Sequence, residues 1–379
     1  MQHECQQHLR RGGEVLDSNK SSYDKIVLGE DESAHLVDWK TLAAYVQSLF
    51  MTQGMSEEDA GIVADCLVDA ELCGVPSHGV SRVSIYLKRL ELGVVSAKFQ
   101  PIIEKEYPAS VLLNAQNANG MVVGKYAMKL ACAKARESGT CSVFVNHSNH
   151  LGMMAYYPRM AAEEGMFGFV TTSANPGIAP WGSKKPFLGT SPIALGVPTK
   201  GDPIILDMAP SVVAMGKVVI SAKLGVSIPE GWAIDEEGRP TTDPKEGMKG
   251  SVLPLGGPKG SGLSLFSQIL GGIVSGAAYG PYVNTLYHEF EKPQGMGHMF
   301  LAVDLSKMLD LESFKEQIEQ LVSEVKGLPQ AEGVSEIFLP GEIEMKRREQ
   351  RKAEGVKISD VVYRELEELG KRHNVDFVL

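Results

Sequence analysis

FGFVTTSANPGIAPWGSKKPFLGTSPIALGVPTKGDPIIL, residues 167–206, decides between two ways of building the sheet. Three apolar runs in it, Phe167–Thr172, Ile193–Val197 and Ile204–Leu206, have strand composition, and no helical period separates them. Strands that succeed one another without a helix favour a mixed or antiparallel sheet over a doubly wound one. Between the first two lie residues 174–192, rich in Gly and Pro. A loop of that length is usually functional or disordered, and Trp181 and Phe187 argue for an ordered one.

Upstream, Val111–Asn114 and Ser142–Asn146 read as strands flanking a helix from about Met121 to Arg136, closed by Gly139. A further helix is expected after His150, as far as Glu164. Residues 35–95 are helical in period. Asp38 caps a helix carrying Leu42, Tyr45, Val46 and Leu49, and Ser56 with Asp59 makes a capping-box pattern before Ile62, Val63, Cys66 and Leu67. A third helix is expected from about Ser77 to Leu92, with Val83, Tyr86, Leu87 and Leu90 inward and Gly93 as its stop. Downstream, LGGPKGSG (255–262) leads into an apolar helix around Leu263–Leu270. Phe300–Val303 reads as a strand, Leu311–Val325 as a helix, and the charged tail from Gly341 to Gly370 as helical. Residues 1–34, polar and aperiodic, read as a disordered lead-in.

The 379 residues allow two or three domains at roughly 100–200 residues each, and 43% hydrophobic residues suffice for a sizeable core. Lys and Arg number 37 against 47 Asp and Glu, a net charge of −10, which argues against nucleic acid as the main partner because phosphate binding needs a basic footprint. The longest apolar run, Leu263–Tyr279, is interrupted by Ser267, Gln268 and several Gly, so no membrane span is expected. No secretory h-region stands near the start, and the five cysteines lack CxxC spacing, as suits reduced thiols in a cytoplasm.

Four stretches could carry chemistry. In Ser77-His78-Gly79-Val80-Ser81-Arg82, a helix capped by Ser77 would set His78 and Arg82 on one face. Arg82 could then clamp a carboxylate while the imidazole exchanges a proton with a carbonyl oxygen; a capping Ser with a surface His and Arg is the alternative. Asn146-His147-Ser148-Asn149-His150 stands at a strand end, where His150 suits proton transfer or substrate binding, and no nearby Cys or carboxylate set makes it a metal site. Gly256–Gly262, with Lys259 inside it, could form an anion-binding N–H nest at a helix start, although it fits neither GxGxxG nor GxxxxGK[ST] and equally suits a plain turn. Asp207, at a strand end, could bond a hydroxyl or cap the following helix.

SHGVSRVSIYLKRL (77–90), NHSNHLGMMAYY (146–157), NPGIAPWGSKKPFLGTSPIALGVP (175–198), ILDMA (205–209), GPKGSGLS (257–264), GHMFLAVD (297–304) and FLPGE (338–342), taken in order, resemble the malate/L-lactate dehydrogenase family. That family includes ureidoglycolate dehydrogenase and diketogulonate reductase and is distinct from the Rossmann-type lactate and malate dehydrogenases. The resemblance spans nearly everything from residue 35 to 365. It implies an α+β (mixed) fold, a helical N-terminal region plus a largely antiparallel, non-Rossmann nicotinamide-binding domain. It also implies hydride transfer between NAD or NADP and a small 2-keto or 2-hydroxy acid, or reduction of a cyclic imine carboxylate in the same site.

By the same resemblance, His78 and His150 are candidate proton donors, Arg82 binds the substrate carboxylate, and Ser77 lies beside the substrate. Asn175, Asp207, Met208, Ala209, Lys259, Gly260, Gly341 and Glu342 match cofactor-contacting positions, with the Gly257–Gly262 run holding pyrophosphate. The expected division is a helical substrate and dimerisation region (35–110), the nicotinamide domain (111–310), and C-terminal helices (311–379) packing back on the first. A cytoplasmic homodimer is implied. One departure bears on the cofactor: an acidic residue at 175 would bond ribose hydroxyls and repel a 2′-phosphate, but Asn175 is neutral and Lys184 and Lys185 are close in sequence, so NAD and NADP both stay open. Met153, Met154 and Trp181 suggest an apolar rim.

Overall fold

The Asp38 carboxylate accepts the Thr41 N–H at 2.8 Å and the Ser56 hydroxyl the Asp59 N–H at 3.1 Å, so both expected caps start their helices. They belong to a computed structural model that describes residues 34–379; residues 1–33, and with them nearly all of the expected lead-in, lie outside the described residues. A short strand, β1 (His35–Val37), precedes α1 (Trp39–Met51) and α2 (Glu57–Leu72). Leu42, Val46 and Leu49 of α1 and Val63 and Leu67 of α2 are fully buried in one core, the stripe expected of amphipathic helices.

The single helix expected over residues 77–92 is broken. Two 3-10 turns, Pro76–His78 and Val80–Arg82, precede α3 (Val83–Glu91), and the non-helical Gly79 (φ −96°, ψ −148°) separates them. The cause is Glu71, buried at the end of α2. Its Oε1 accepts the Val80 N–H at 2.9 Å, and a Cβ on Gly79 would stand 2.1 Å from that oxygen. Ser77 therefore caps no α-helix, and His78 and Arg82 do not share a helical face.

From Ile102 the chain builds the main sheet. β2 (Ile102–Tyr107) and β3 (Ser110–Asn114) form a hairpin, α4 (Gly120–Ser138) crosses to β4 (Thr140–Ser148), and α5 (Tyr156–Glu163) leads to β5 (Met166–Thr172). Gly139, left-handed at φ 83°, closes α4 as expected. The Gly/Pro-rich stretch is ordered by β6 (Pro176–Ile178) and β7 (Leu188–Gly189), after which β8 (Ile193–Val197) and β9 (Ile204–Met208) return to the sheet. The next segment, α6 (Met215–Leu224), β10 (Ala233–Ile234), β11 (Pro240–Thr241), α7 (Pro244–Lys249) and β12 (Ser251–Val252), forms a second, five-stranded sheet with β6 and β7. α8 (Pro258–Ser267) continues into a π-helix, Gln268–Ile273, and β13 (Met296–Asp304) completes the main sheet in the order β2-β3-β4-β13-β5-β8-β9. Only β3 and β4 pair in parallel there, which is the largely antiparallel arrangement expected from residues 167–206.

Three boundaries differ from expectation. The helix after His150 begins only at Tyr156, because Gly152 is left-handed (φ 74°) and Asp207, from the end of β9, takes the Ala155 N–H at 2.7 Å. The helix expected from Leu263 begins five residues earlier, at Pro258, whose fixed φ suits a first helical position. The tail is not one helical run: α9 (Leu311–Lys326) and α10 (Glu342–Glu354) are followed by β14 (Val356–Ile358), which pairs with β1, and then α11 (Asp360–His373). No helix among the described residues is long and apolar enough to cross a membrane.

Asp69, 3% exposed, joins three helices: it accepts from Arg159 of α5 and, at 2.7 Å, from Arg348 of α10. Removing it would strand the buried Arg159 guanidinium. Asp69→Ala should lose about 3–5 kcal/mol in urea unfolding. A loss below about 1 kcal/mol would mean that the cluster behaves like a solvated surface pair.

Candidate active site

A cavity of about 860 Å³ opens where several chain segments end together. Its wall takes Ser77 and His78 from the first 3-10 turn, His150–Ala155 between β4 and α5, and Thr172 with Ala174–Gly177 beyond β5. Ile205–Ala209 at the end of β9, Thr285–His288, Gln294, Arg159 of α5 and Leu339–Gly341 before α10 add to it. Strand and helix ends expose unpaired backbone groups and side chains without disturbing the sheet core, which is why sites gather there.

The two histidines come together. The His78 and His150 rings stack at a centroid distance of 5.7 Å and 20° between planes. The Ser77 hydroxyl lies 3.0 Å from His78 Nδ1. His150 is held more tightly: its main-chain N–H donates to Gln294 Oε1 at 3.1 Å, and its Nδ1 accepts the Gly152 N–H at 3.1 Å. An amide N–H can only donate, so Nδ1 carries the lone pair, and the Tyr86 hydroxyl, 2.8 Å away, also donates to it. The proton of the neutral ring is thereby assigned to Nε2.

Both rings favour the neutral form. Burial lowers His78 to about 4, helped by the Arg82 charge. Burial also lowers His150 well below the usual range, with His78, Arg82 and the buried His298 adding to it. His298 itself, 2.8 Å from the Thr172 hydroxyl, is pushed to about 3 by burial. A carboxylate brought beside Arg82 would reverse the bias, so a bound anion could load a proton onto an imidazole.

Arg82 stands behind the lining. Its Nε donates to the Ser77 carbonyl at 2.6 Å, and its guanidinium lies 5.2 Å over the Tyr287 ring, which does line the cavity. Across the cavity are Asn175, Asp207, Met208, Ala209 and Gly341. Asp207 faces cavity solvent yet is enclosed by protein; burial raises it to about 6 against the Ala155 and Met154 N–H groups. It caps α5 and not the helix that follows it in sequence.

Three of the expected cofactor residues fall outside the lining. Lys259 and Gly260 lie in the first turn of α8, where a Cβ on Gly260 would meet the Leu255 and Pro210 backbones at 2.4–2.5 Å, while Lys259 is exposed and nothing stands within 4 Å of a Cβ on Gly262. Glu342 turns away into an ion network. Burial opposes its charge, but the Leu339 N–H and the ammoniums of Lys326 and Lys346 outweigh that and hold it at about 2. Trp181 also leaves the rim, its ring covering Gly257, whereas Met153 and Met154 line the cavity. The sequence reading missed Tyr86 as a site residue, since its spacing marks only an inward face, and gave no signal for Gln294, Tyr287 or His288. Among the described residues no group of three or more His, Cys, Asp or Glu could hold a metal.

The model of the family described as malate/L-lactate dehydrogenase matches residues 37–367. Malate dehydrogenase of Pyrococcus horikoshii is 40% identical over 354 residues, 91% of this chain and 98% of that protein. Among solved structures, sulfolactate dehydrogenase from Methanocaldococcus jannaschii superposes with a TM-score of 0.86 at 36% identity, covering 90% of this chain and 98% of that one. Delta1-piperideine-2-carboxylate reductase from Pseudomonas syringae superposes with a TM-score of 0.80 at 29% identity, covering 88% and 99%.

The pinned tautomer is directly measurable. Long-range 1H–15N spectra should show His150 as the neutral Nε2–H form at pH 6.5, where an unperturbed imidazole is about half protonated. An Nδ1–H signal, or half protonation at that pH, would contradict the arrangement.

Proposed function

The chain belongs to the malate/L-lactate dehydrogenase family, and on that premise we propose that it moves a hydride between NAD or NADP and C2 of a small 2-keto or 2-hydroxy acid. The observation that carries this reading is the stacked, neutral His78–His150 pair in a cavity backed by Arg82. The cavity fits a nicotinamide cofactor: its size is that of a cofactor pocket, with apolar Met153 and Met154 and a few polar groups, Asn175 and Asp207, on its wall. Asn175, Asp207–Ala209 and Gly341 would hold the cofactor. When bound, the nicotinamide supplies the hydride chemistry.

The chain's own residues do the rest. Arg82, stacked on the cavity wall at Tyr287, anchors the substrate carboxylate beside the two rings. In the oxidation direction a neutral imidazole takes the C2 hydroxyl proton as the hydride leaves C2. In reduction the same nitrogen returns that proton to the carbonyl oxygen as C2 gains the hydride. With His150 Nδ1 occupied by the Tyr86 and Gly152 donors and its Nε2 already protonated, His78 is the ring that takes this proton, and His150 can donate a hydrogen bond to the substrate oxygen. A second reading, reduction of a cyclic imine bearing a 2-carboxylate, needs the same anchor and is favoured by the likeness to the Pseudomonas reductase.

Following nicotinamide absorbance with NADH and NADPH against pyruvate, oxaloacetate, other 2-keto acids and a cyclic imine carboxylate separates the readings. Oxidation with a keto acid supports the first, and turnover with the imine alone supports the second. His78→Ala or His150→Ala should lower kcat about 100-fold or more. Wild-type kcat in both would overturn the assignment.

The pH profile gives an independent check. His78 is depressed to about 4, so it remains a base across neutral pH. The acid limb of kcat/KM for hydroxy-acid oxidation, which reports the free enzyme, should therefore fall near pH 4. A limb at the ordinary imidazole value would show that the base is not buried as described.

A further inference from the structure

Arg89 lies on α3, one turn beyond Tyr86, and is fully buried. Every partner of its guanidinium is a main-chain carbonyl. Nη1 is 2.9 Å from the Glu289 oxygen, with those of Leu286 and Thr285 at 3.3 and 3.5 Å, and Nη2 is 3.0 Å from the Lys292 oxygen. Nε has no acceptor. Taking a guanidinium out of water is costly, the Glu289 charge offsets the burial of Arg89 only in part, and in a core an apolar side chain of similar size would fill the space as well. What the guanidinium does that an apolar residue could not is gather four carbonyls of one loop around a single planar fork.

That loop is closed on itself. The Asn284 N–H donates to the Gln294 carbonyl at 3.0 Å and its side-chain amide to the Pro293 carbonyl at 2.6 Å, so residues 285–293 leave and return at one point. Within it the Thr285 N–H donates to the Glu289 carboxylate at 2.5 Å, and the Lys88 ammonium sits 3.9 Å over the Phe290 ring. The loop touches the site in three ways. Thr285–His288 line the cavity, Tyr287 carries the Arg82 guanidinium, and Gln294 at the loop's base accepts the His150 N–H.

We propose that the 285–292 loop is the specificity wall for the part of the substrate beyond C2, and that Arg89 is the positioning residue that holds it there. This rests on the dehydrogenase reading of the cavity. The loop adjoins both the carboxylate anchor and the proton-exchanging pair, so whatever extends from C2 meets it. Because the Arg89 fork bonds main-chain oxygens only, that grip does not require the side chains of Tyr287 or His288. Tyr287 and His288 can therefore set which substrate fits without moving the wall.

The test uses the full chain with Arg89→Ala and hydrogen exchange read by mass spectrometry. Exchange over residues 285–292 should quicken about tenfold or more while the main sheet is unchanged, and millimolar guanidinium, but not equal NaCl, should restore protection by refilling the vacated fork site. The KM for the keto acid should rise by a similar factor and respond to the same rescue, with the cofactor KM unmoved. His288→Ala should alter the ratio of kcat/KM between short and long 2-keto acids with loop protection intact. If Arg89→Ala does not fold, Arg89→Lys, which keeps the charge but loses the fork, should show an intermediate rise in exchange. Unchanged loop exchange in these variants, equal rises in both KM values, or an unaltered substrate ratio in His288→Ala would overturn the proposal. Should the wild-type protein turn over neither keto acid nor imine, the dehydrogenase reading fails, while the exchange and guanidinium rescue still decide whether Arg89 holds the loop.

Discussion

Two carboxylates buried at the C-terminal end of α2 are the constraint on which the site depends. Asp69 and Glu71 are two residues apart and so point to different sides of the helix. Asp69 is neutralised by two guanidiniums, which tie α5 and α10 to α2. Glu71 accepts the Val80 N–H, and burial raises it to about 7 against that bond and the charge of Arg351. Its main-chain oxygen accepts from Arg351 of α10, so the same turn of helix anchors the C-terminal segment a second time. The shape of the turn that carries His78 follows from this. Only a residue without a Cβ can pass over the Glu71 carboxylate at position 79, and the break there is what directs His78 into the cavity.

The cavity also depends on segments far apart in sequence finishing one another's hydrogen bonds. Asp207 at the end of β9 caps α5, Gln294 after the 285–293 loop holds the His150 backbone, and Pro340 accepts the Ile205 N–H, which joins the stretch before α10 to the edge of β9. Each bond satisfies a backbone group that a strand or helix end would otherwise leave unpaired in a partly buried place. The outcome is a pair of half-buried imidazoles set near a guanidinium, both biased to the neutral form. On the proposed reading, a carboxylate approaching Arg82 would reverse that bias and so couple binding of the anion to proton exchange.

Much of the fold was legible from local rules. The Asp38 and Ser56 caps, the stop at Gly139, the strand at Ile193–Val197 and the antiparallel sheet all follow from hydrogen-bonding chemistry at helix ends and from period-two apolar runs. Of the expected site residues, Ser77, His78, His150, Asn175, Asp207, Met208, Ala209 and Gly341 line one cavity, and Arg82 backs it. Lys259, Gly260 and Glu342 do not. A glycine in a helix's first turn looks alike in sequence whether it faces a ligand or, like Gly260, the Pro210 backbone, and a glutamate opening a helix looks alike whether it meets a ligand or Lys326.

The sequence by itself determined the elements whose causes are local: the caps at Asp38 and Ser56, the stop at Gly139, which faces are apolar, and that the main strands pair largely antiparallel. It also carried the family likeness, because strings such as SHGVSR and NHSNHLG stand in order along the chain. Only the tertiary structure decided the break at Gly79, the tautomer of His150, the role of Tyr86 and the clamp at Arg89. Each of these depends on a contact between groups distant along the chain, such as Tyr86 with His150 or Arg89 with Lys292. Hydrogen bonds and desolvation act at a few ångströms through space, and sequence spacing does not encode which distant groups will come that close.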